Sequence, residues 1–451
     1  MEDPALLLIC FDRPDYLRRT IGSLSSLSRI GELTVYISQD GHHEGVNKVA
    51  ASAVTLGGPL GPPHTRGARH LHHPRDNPAQ GVRQPGHAWL SQHYKWALES
   101  VFAYGHSHVI TVEDDMEFSA DFLELFWSTA WLFRVDSSLI CVSSWNDYGF
   151  AKWKWHPSRL MRTSFFPGLG WMTSKAGWLA IRRVFPDSNW DNDIRAEGYS
   201  RGWECIVPEV NRNHNFGEKG ANMDTRLYHQ LIEGMKHYTG SPNHTFFSNI
   251  SYLVPGSTIK SVQQEIWGAE VINWRQQEAV LLQITRAPET SKSYVALYSA
   301  RDFKRLAKKL SLGHDSPRLN FRGVTRLPLK KKAVLLLINE QTCRFLPDRL
   351  KAKPPASLKI ATGKGGQACN EVCHSMSWRC QERGFDYINN CATLYQQFNC
   401  AGCGLELGDD LPAQIAQSRN PSFQRCVVSV GRSTCSARSK ASARMCPCVP
   451  E

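Results

Sequence analysis

The chemistry-bearing stretch of this chain is Val109-Ile110-Thr111-Val112-Glu113-Asp114-Asp115-Met116-Glu117, four strand-forming residues that run directly into three consecutive carboxylates. Adjacent negative charges repel, so such a triplet is stable only where a cation, hydrogen-bond donors or raised pKa values offset the repulsion. A divalent ion is the simplest offset. In an open α/β sheet, ligands gather beyond the carboxyl ends of the strands, where acids that follow a strand are carried. The plainer reading, acids suited to the dipole of a following helix over residues 119–133, is preferred for Glu117 and stays open for the triplet. A second acid, Asp191 in Asn189-Trp190-Asp191-Asn192-Asp193, lies at the start of a short helical stretch, 192–197, which it could also simply cap.

The elements that position these acids alternate in type. Residues 5–10 form a hydrophobic strand, Phe11-Asp12-Arg13-Pro14 a turn, and 15–27 a helix in which Leu17, Ile21 and Leu24 recur at helical spacing. A second strand over 33–38 ends in Gln39-Asp40-Gly41. Strand, helix and strand, each strand leading to an acid, begin a nucleotide-binding α/β half. No Gly-x-Gly-x-x-Gly follows the first strand, which disfavours a dinucleotide. Residues 57–86, rich in Gly, Pro, His and Arg, are predicted to be a surface loop, and 93–102 a helix leading to the acidic strand.

Further strands and loops follow. Residues 139–143 form a strand that closes on Ser144-Trp145-Asn146-Asp147. The glycines of Phe165-Phe166-Pro167-Gly168-Leu169-Gly170-Trp171 allow close backbone approach and its rings offer a wall to a sugar; a tight core turn is the alternative. The Gly-rich run Phe216-Gly217-Glu218-Lys219-Gly220-Ala221-Asn222 has the composition of a lid. Beyond it, 293–298, a helix over 301–312 and 332–338 form a small α+β unit, and 351–366 is Lys-, Pro- and Gly-rich linker.

Composition bounds the function. With 451 residues, 41% hydrophobic and 10% aromatic, the chain has enough apolar content for two or three folded domains. The formal charge of +12 comes from dispersed Lys and Arg, which indicates a preference for anionic ligands and not for nucleic acid. No window approaches the ~18 apolar residues of a membrane span. Met1 is followed by acids and then a strand, with no signal peptide. Ten of the fourteen cysteines fall between Cys369 and Cys448, with one Cys-x2-Cys, at Cys400 and Cys403. Their even number and irregular spacing favour disulfides over a metal knuckle. The triplets Asn243-His244-Thr245 and Asn249-Ile250-Ser251 match the glycosylation sequon, a pattern that also arises by chance in a long chain. The expectation is a secretory-lumen protein whose anchor lies upstream of this segment.

Taken together, Val-Glu-Asp-Asp, Ser-Trp-Asn-Asp, Phe-Pro-Gly-Leu-Gly-Trp, Trp-Asp and Cys-Ile-x-Pro-Glu-Val, in that order, resemble the N-acetylglucosaminyltransferase I family, which includes the protein O-mannose β-1,2-N-acetylglucosaminyltransferases. The Cys-rich tail resembles the C-terminal region of N-acetylglucosaminyltransferase V. The resemblance implies a GT-A fold, an α/β architecture with a mixed, mainly parallel sheet. It further implies UDP-N-acetylglucosamine as donor, Mn2+ as cofactor, a terminal mannose on a glycoprotein as acceptor, inversion to a β-1,2 linkage, and the Golgi lumen. The division it suggests is a catalytic domain over 1–240, a linker and small α+β domain over 241–345, a linker over 346–368 and a disulfide-rich module over 369–451.

By the same resemblance Asp115 is the metal ligand, Glu113 and Asp114 hold the donor's sugar and ribose, and Asp191 is the catalytic base. Arg13, Asp40, His93, Trp190, Ala221 and Asn222 complete the donor-binding set, with Asp40 suited to accept from the uracil N3–H. The family has a hydroxyl residue where Asn222 stands. Cys141 and Cys205 match a family disulfide, whereas Gly41 replaces a cysteine of another, which leaves Cys10 free and buried. Two other classes could use such residues: a metal-dependent nuclease or phosphatase, and a sugar-binding protein without turnover. The presence of both Asp115 and Asp191 argues against the second.

Overall fold

The computed structural model describes all residues except 1–2, 76–84, 221–222, 242–248, 289–290, 314–315, 344, 348–349, 352 and 421. They form two compact units, Met1–Ile194 with Glu204–Thr258, and Arg195–Trp203 with Ile259–Glu451.

The first unit is built on an eight-stranded mixed sheet. Its strands are β1 (Pro4–Cys10), β2 (Thr34–Asp40), β3 (Gly67–His73), β4 (His108–Glu113), β6 (Leu139–Ser143), β7 (Leu160–Thr163), β8 (Trp171–Ser174) and β9 (Glu204–Pro208); β5 (Met116–Phe118) and β10 (Asn213–Asn215) pair separately. The order is β3-β2-β1-β4-β8-β6-β9-β7. The first four strands are mutually parallel, and β8 enters antiparallel between β4 and β6. Helices α1 (Pro14–Ser25), α2 (Glu44–Val54), α3 (Pro85–Ala103), α4 (Phe122–Thr129), α5 (Leu132–Val135), α6 (Lys175–Arg182) and α7 (Trp190–Arg201) follow in chain order.

β1 is the spine of this sheet. All seven of its residues are buried, as expected of a strand hydrogen-bonded on both edges and covered on both faces. α1 covers one face through Leu17, Thr20, Ile21 and Leu24, and starts at Pro14, whose missing N–H costs nothing at a first helical position. Between β6 and β9, Cys141 lies opposite Cys205 in register, and the two form a disulfide.

Four expectations from the sequence need correction, the first being that 351–366 is not all linker: Lys359–Thr362 is a strand paired antiparallel with Ser442–Pro450. Residues 57–86 are not all loop: 67–73 form edge strand β3 parallel to β2, held by backbone pairing and lacking the apolar alternation that reveals a strand. The span 119–133 is two helices, α4 and α5. Glu117 is not in the first turn of a helix; it lies in β5, pairs with His214 of β10 and takes Arg19 Nε at 2.7 Å.

The second unit contains a four-stranded sheet of Glu270–Val271, Ser293–Tyr298, Val334–Asn339 and Val324–Pro328, in that order. The helix Ala300–Lys309 starts with a capping box between Ser299 and Asp302 and buries Ala300, Phe303, Leu306 and Ala307. A six-stranded sheet follows, laced by disulfides Cys369–Cys446, Cys373–Cys448, Cys380–Cys435, Cys391–Cys403 and Cys400–Cys426. All ten cysteines of the tail are thereby oxidised, and Cys10 and Cys343 remain as buried thiols. Among the described residues no helix is long and apolar enough to cross a membrane.

Candidate active site

The acids converge where the strand order and the chain direction require. β1 and β4 are neighbours in parallel, so Arg13, just past the end of β1, stands beside the turn that follows β4. Arg13 forms an ion pair with Asp114 and donates to Asp115 Oδ2 at 3.0 Å and to the Lys219 carbonyl at 3.3 Å. The turn is pinned from behind by Thr20, whose hydroxyl donates to the Asp114 carbonyl at 2.8 Å and accepts from the Met116 N–H at 3.1 Å.

Each carboxylate of the triplet has a different setting. Glu113 is partly exposed and accepts from the Tyr94 hydroxyl of α3 at 2.5 Å. Asp114 is buried, with Oδ2 lacking a hydrogen-bond partner. Asp115 accepts from Asn215 Nδ2 at 3.0 Å, and its backbone carbonyl accepts from the Phe216 N–H at 2.8 Å. A Cβ at Gly217 would come within 2.2 Å of Asp115 Oδ2, so glycine is required for the chain to pass there. Burial, with Asp115 nearby, pushes Glu113 upward in pKa; burial also raises Asp114, although Arg13 pulls against it. Three carboxyl groups thus crowd one guanidinium, with Glu113 and Asp114 held toward the protonated form until further positive charge arrives.

Tyr94 links this cluster to the second acid. Its ring stacks on Trp190 with centroids 4.3 Å apart, and the Trp190 N–H donates to Ser91 Oγ of the same α3 at 3.3 Å. Trp190 is buried and also contacts Phe166, Trp171 and Phe185, at 5.7, 6.1 and 5.7 Å between centroids. The Gly-aromatic run thus forms a box that anchors the first turn of α7. Gly168 and Gly170, with φ of 77° and 54°, make the bend possible, and a Cβ at Gly170 would meet Ser144 Oγ at 2.4 Å. Asp191 is the second residue of α7 and is near enough to Tyr94 to raise its phenol pKa, after burial and the Glu113 and Asp115 carboxylates. Asp191 is inside the helix, not its N-cap.

At the neighbouring strand ends, Asp40 of β2 takes His73 Nδ1 at 2.7 Å, with Arg75 Nε at 3.6 Å. Arg75 lies between the rings of Phe11 and Trp89, 4.1 and 3.8 Å from their centroids. His93 is buried, 2.8 Å from Ser38 Oγ and stacked on His73; burial lowers its pKa to about 3, so it is neutral. Ala221 and Asn222 lie outside the described residues. Sequence reasoning missed Tyr94, Ser91, Asn215, His73 and Arg75. Ser91 and Tyr94, three apart on one helix face, were the legible signal for two of them.

Among the described residues no group of three or more His, Cys, Asp and Glu is arranged to hold a metal ion by itself. A single carboxylate such as Asp115 could supply only part of a metal ion's shell, and the rest would have to come from elsewhere.

Residues 1–348 match the model of the GNT-I family, and residues 329–448 match that of Glycosyltransferase family 18. Among curated proteins, the alpha-1,3-mannosyl-glycoprotein 2-beta-N-acetylglucosaminyltransferase of Arabidopsis thaliana is 33% identical over 244 residues. That match covers 52% of this chain and 52% of the relative, so the chain spans about half the length of the curated relative it matches.

Proposed function

Since this chain belongs to the GNT-I family, we propose that it is an inverting glycosyltransferase of the GT-A fold. It moves N-acetylglucosamine from UDP-N-acetylglucosamine to the 2-hydroxyl of a terminal mannose on a glycoprotein glycan, in β-1,2 linkage. The observation that carries this reading is the chain of contacts Glu113–Tyr94–Trp190, which joins the acid cluster to the helix of Asp191 at one end of the parallel strands.

In this reading Asp191 takes the proton of the acceptor hydroxyl as its oxygen attacks the anomeric carbon from the face opposite the diphosphate. The bond to UDP breaks as the new glycosidic bond forms. Asp115 holds Mn2+, which when bound supplies positive charge against the departing diphosphate. Arg13, already directed at Asp114 and Asp115, adds a fixed positive charge beside the same group. Glu113 and Asp114 hold the donor's sugar and ribose, and Asp40 accepts from uracil N3–H. His93 and Trp190, both buried, act on the donor pocket by fixing Ser38, His73 and Tyr94. Ala221 and Asn222 complete the donor-binding set. We assign the protein to the Golgi lumen, a reading supported by its six disulfides. We also keep the division into catalytic, small α+β and Cys-rich parts.

The test is a transfer assay with purified protein, Mn2+ and UDP-N-acetylglucosamine against two acceptors, a mannose-terminated N-glycan core and an O-mannosyl peptide. Addition of one N-acetylhexosamine at mannose O2 of either is expected. Donor hydrolysis with no transfer to either acceptor would overturn the proposal.

A further inference from the structure

Helix α7 carries Asp191 in its first turn, and its last two turns belong to the second unit. Within that unit, Arg425 Nη1 donates to Glu197 Oε1 at 2.5 Å, with both side chains largely buried. Glu197 Oε2 is also taken by Arg201 Nε at 2.8 Å, so both carboxylate oxygens are held.

The seat of Arg425 is built for this contact. A Cβ at Gly404 would lie 2.8 Å from Arg425 Nη2, and one at Gly402 would lie 3.1 Å from Ser200 Oγ of the helix. Glycine at both positions lets the guanidinium lie on its strand and the helix approach it. Gly402 and Arg425 are register partners on parallel strands, and those strands are fastened by Cys391–Cys403 and Cys400–Cys426. Tyr199 packs on the core formed by the same cysteines.

We propose that Arg425 and its disulfide-fastened strands are a brace for helix α7, which makes Arg425 a positioning residue for Asp191. Residues 191 and 197 are about 9 Å apart along one continuous helix, short enough for what holds Glu197 to set the placement of Asp191. The Cys-rich module thereby serves turnover at the site and not only its own stability. The inference rests on the reading of Asp191 as the base.

The test compares Arg425→Ala, Arg425→Lys and Glu197→Gln with the parent, by transfer kinetics, donor affinity and hydrogen exchange of the α7 amides. Glu197→Gln preserves side-chain shape and covers a failure of Arg425→Ala to fold. Arg425→Ala and Glu197→Gln are expected to lower kcat by about tenfold, since small misplacements of a reacting group are costly. Donor Kd should stay within about twofold, because Trp190, the donor-pocket residue of α7, is held at the other end of the helix by the rings of Tyr94, Phe166, Trp171 and Phe185. Exchange of the α7 amides should quicken by about tenfold or more while that of β1 and β4 is unchanged. Arg425→Lys should recover most of the loss. Unchanged exchange in α7, or kcat within about twofold of the parent in Glu197→Gln, would overturn the brace. If Asp191 proves not to be the base, the exchange rates still decide whether Arg425 holds the helix.

Discussion

Tyr94 donates its phenolic hydrogen to Glu113 Oε1 at 2.5 Å while its ring lies 4.3 Å from the indole of Trp190. One side chain of α3 thus fixes both a carboxylate of the acid cluster and the aromatic box beside Asp191. Tyr94→Phe removes only the hydrogen bond and should weaken donor binding by up to about tenfold, the upper end of the ~0.5–1.5 kcal/mol of a net hydrogen bond. Tyr94→Ala also removes the stack, and should lower turnover at saturating donor. Calorimetry of donor binding beside steady-state kinetics separates the two effects.

Asp115 is buried and held by Asn215 and Arg13. Asp115→Ala should abolish Mn2+-dependent UDP binding, and the fold should survive because one like charge leaves the cluster. Unchanged metal-dependent UDP affinity in a folded Asp115→Ala protein would remove Asp115 as the ligand.

His93 supplies a pH dependence with a definite sign. Its pKa is about 3 in the folded chain, lowered first by burial, against about 6.5 when unfolded. The unfolded chain therefore binds the extra proton between those values, and stability is lost as pH falls from about 6.5 toward 3. At pH 5 this one residue should cost ~2 kcal/mol relative to neutral pH. Replacing it as His93→Gln should flatten that slope by one proton, measured from denaturant unfolding at pH 7 and pH 5.

Disulfides close around the whole tail, so thiol labelling has a simple expected result. The native protein should label at neither Cys10 nor Cys343, both buried, and the unfolded, unreduced protein at these two alone. More than two reactive thiols per unfolded chain would contradict the pairing.

The parts of the molecule legible in the sequence are those where hydrophobic period and chemistry coincide. β2 and β4 end in carboxylates, β1 is an apolar run that leads to Asp12 and Arg13, and α1 shows its buried face at Leu17, Ile21 and Leu24. Edge strand β3 carries three histidines and an arginine in seven residues and is set by backbone pairing to β2, which leaves no pattern to read. His73 and Arg75 were lost with it. Asn215 reaches Asp115 across 100 residues of chain, a contact that the pairing of β5 with β10 creates and local sequence does not record. The tail was legible as oxidised from its cysteine count, whereas the pairing of Arg425 with Glu197, 228 residues apart, needed the fold.

The central claim, that Asp191 is the base of a sugar transfer, is tested most directly by Asp191→Asn. The carboxylate is needed only when the acceptor hydroxyl loses its proton, so the amide should leave donor affinity nearly unchanged and keep the first turn of α7 intact. The rate of N-acetylglucosamine transfer should fall by ~10^2 to 10^4, the range for a lost general base. A variant that binds donor normally and transfers within a few-fold of the parent rate would contradict the account.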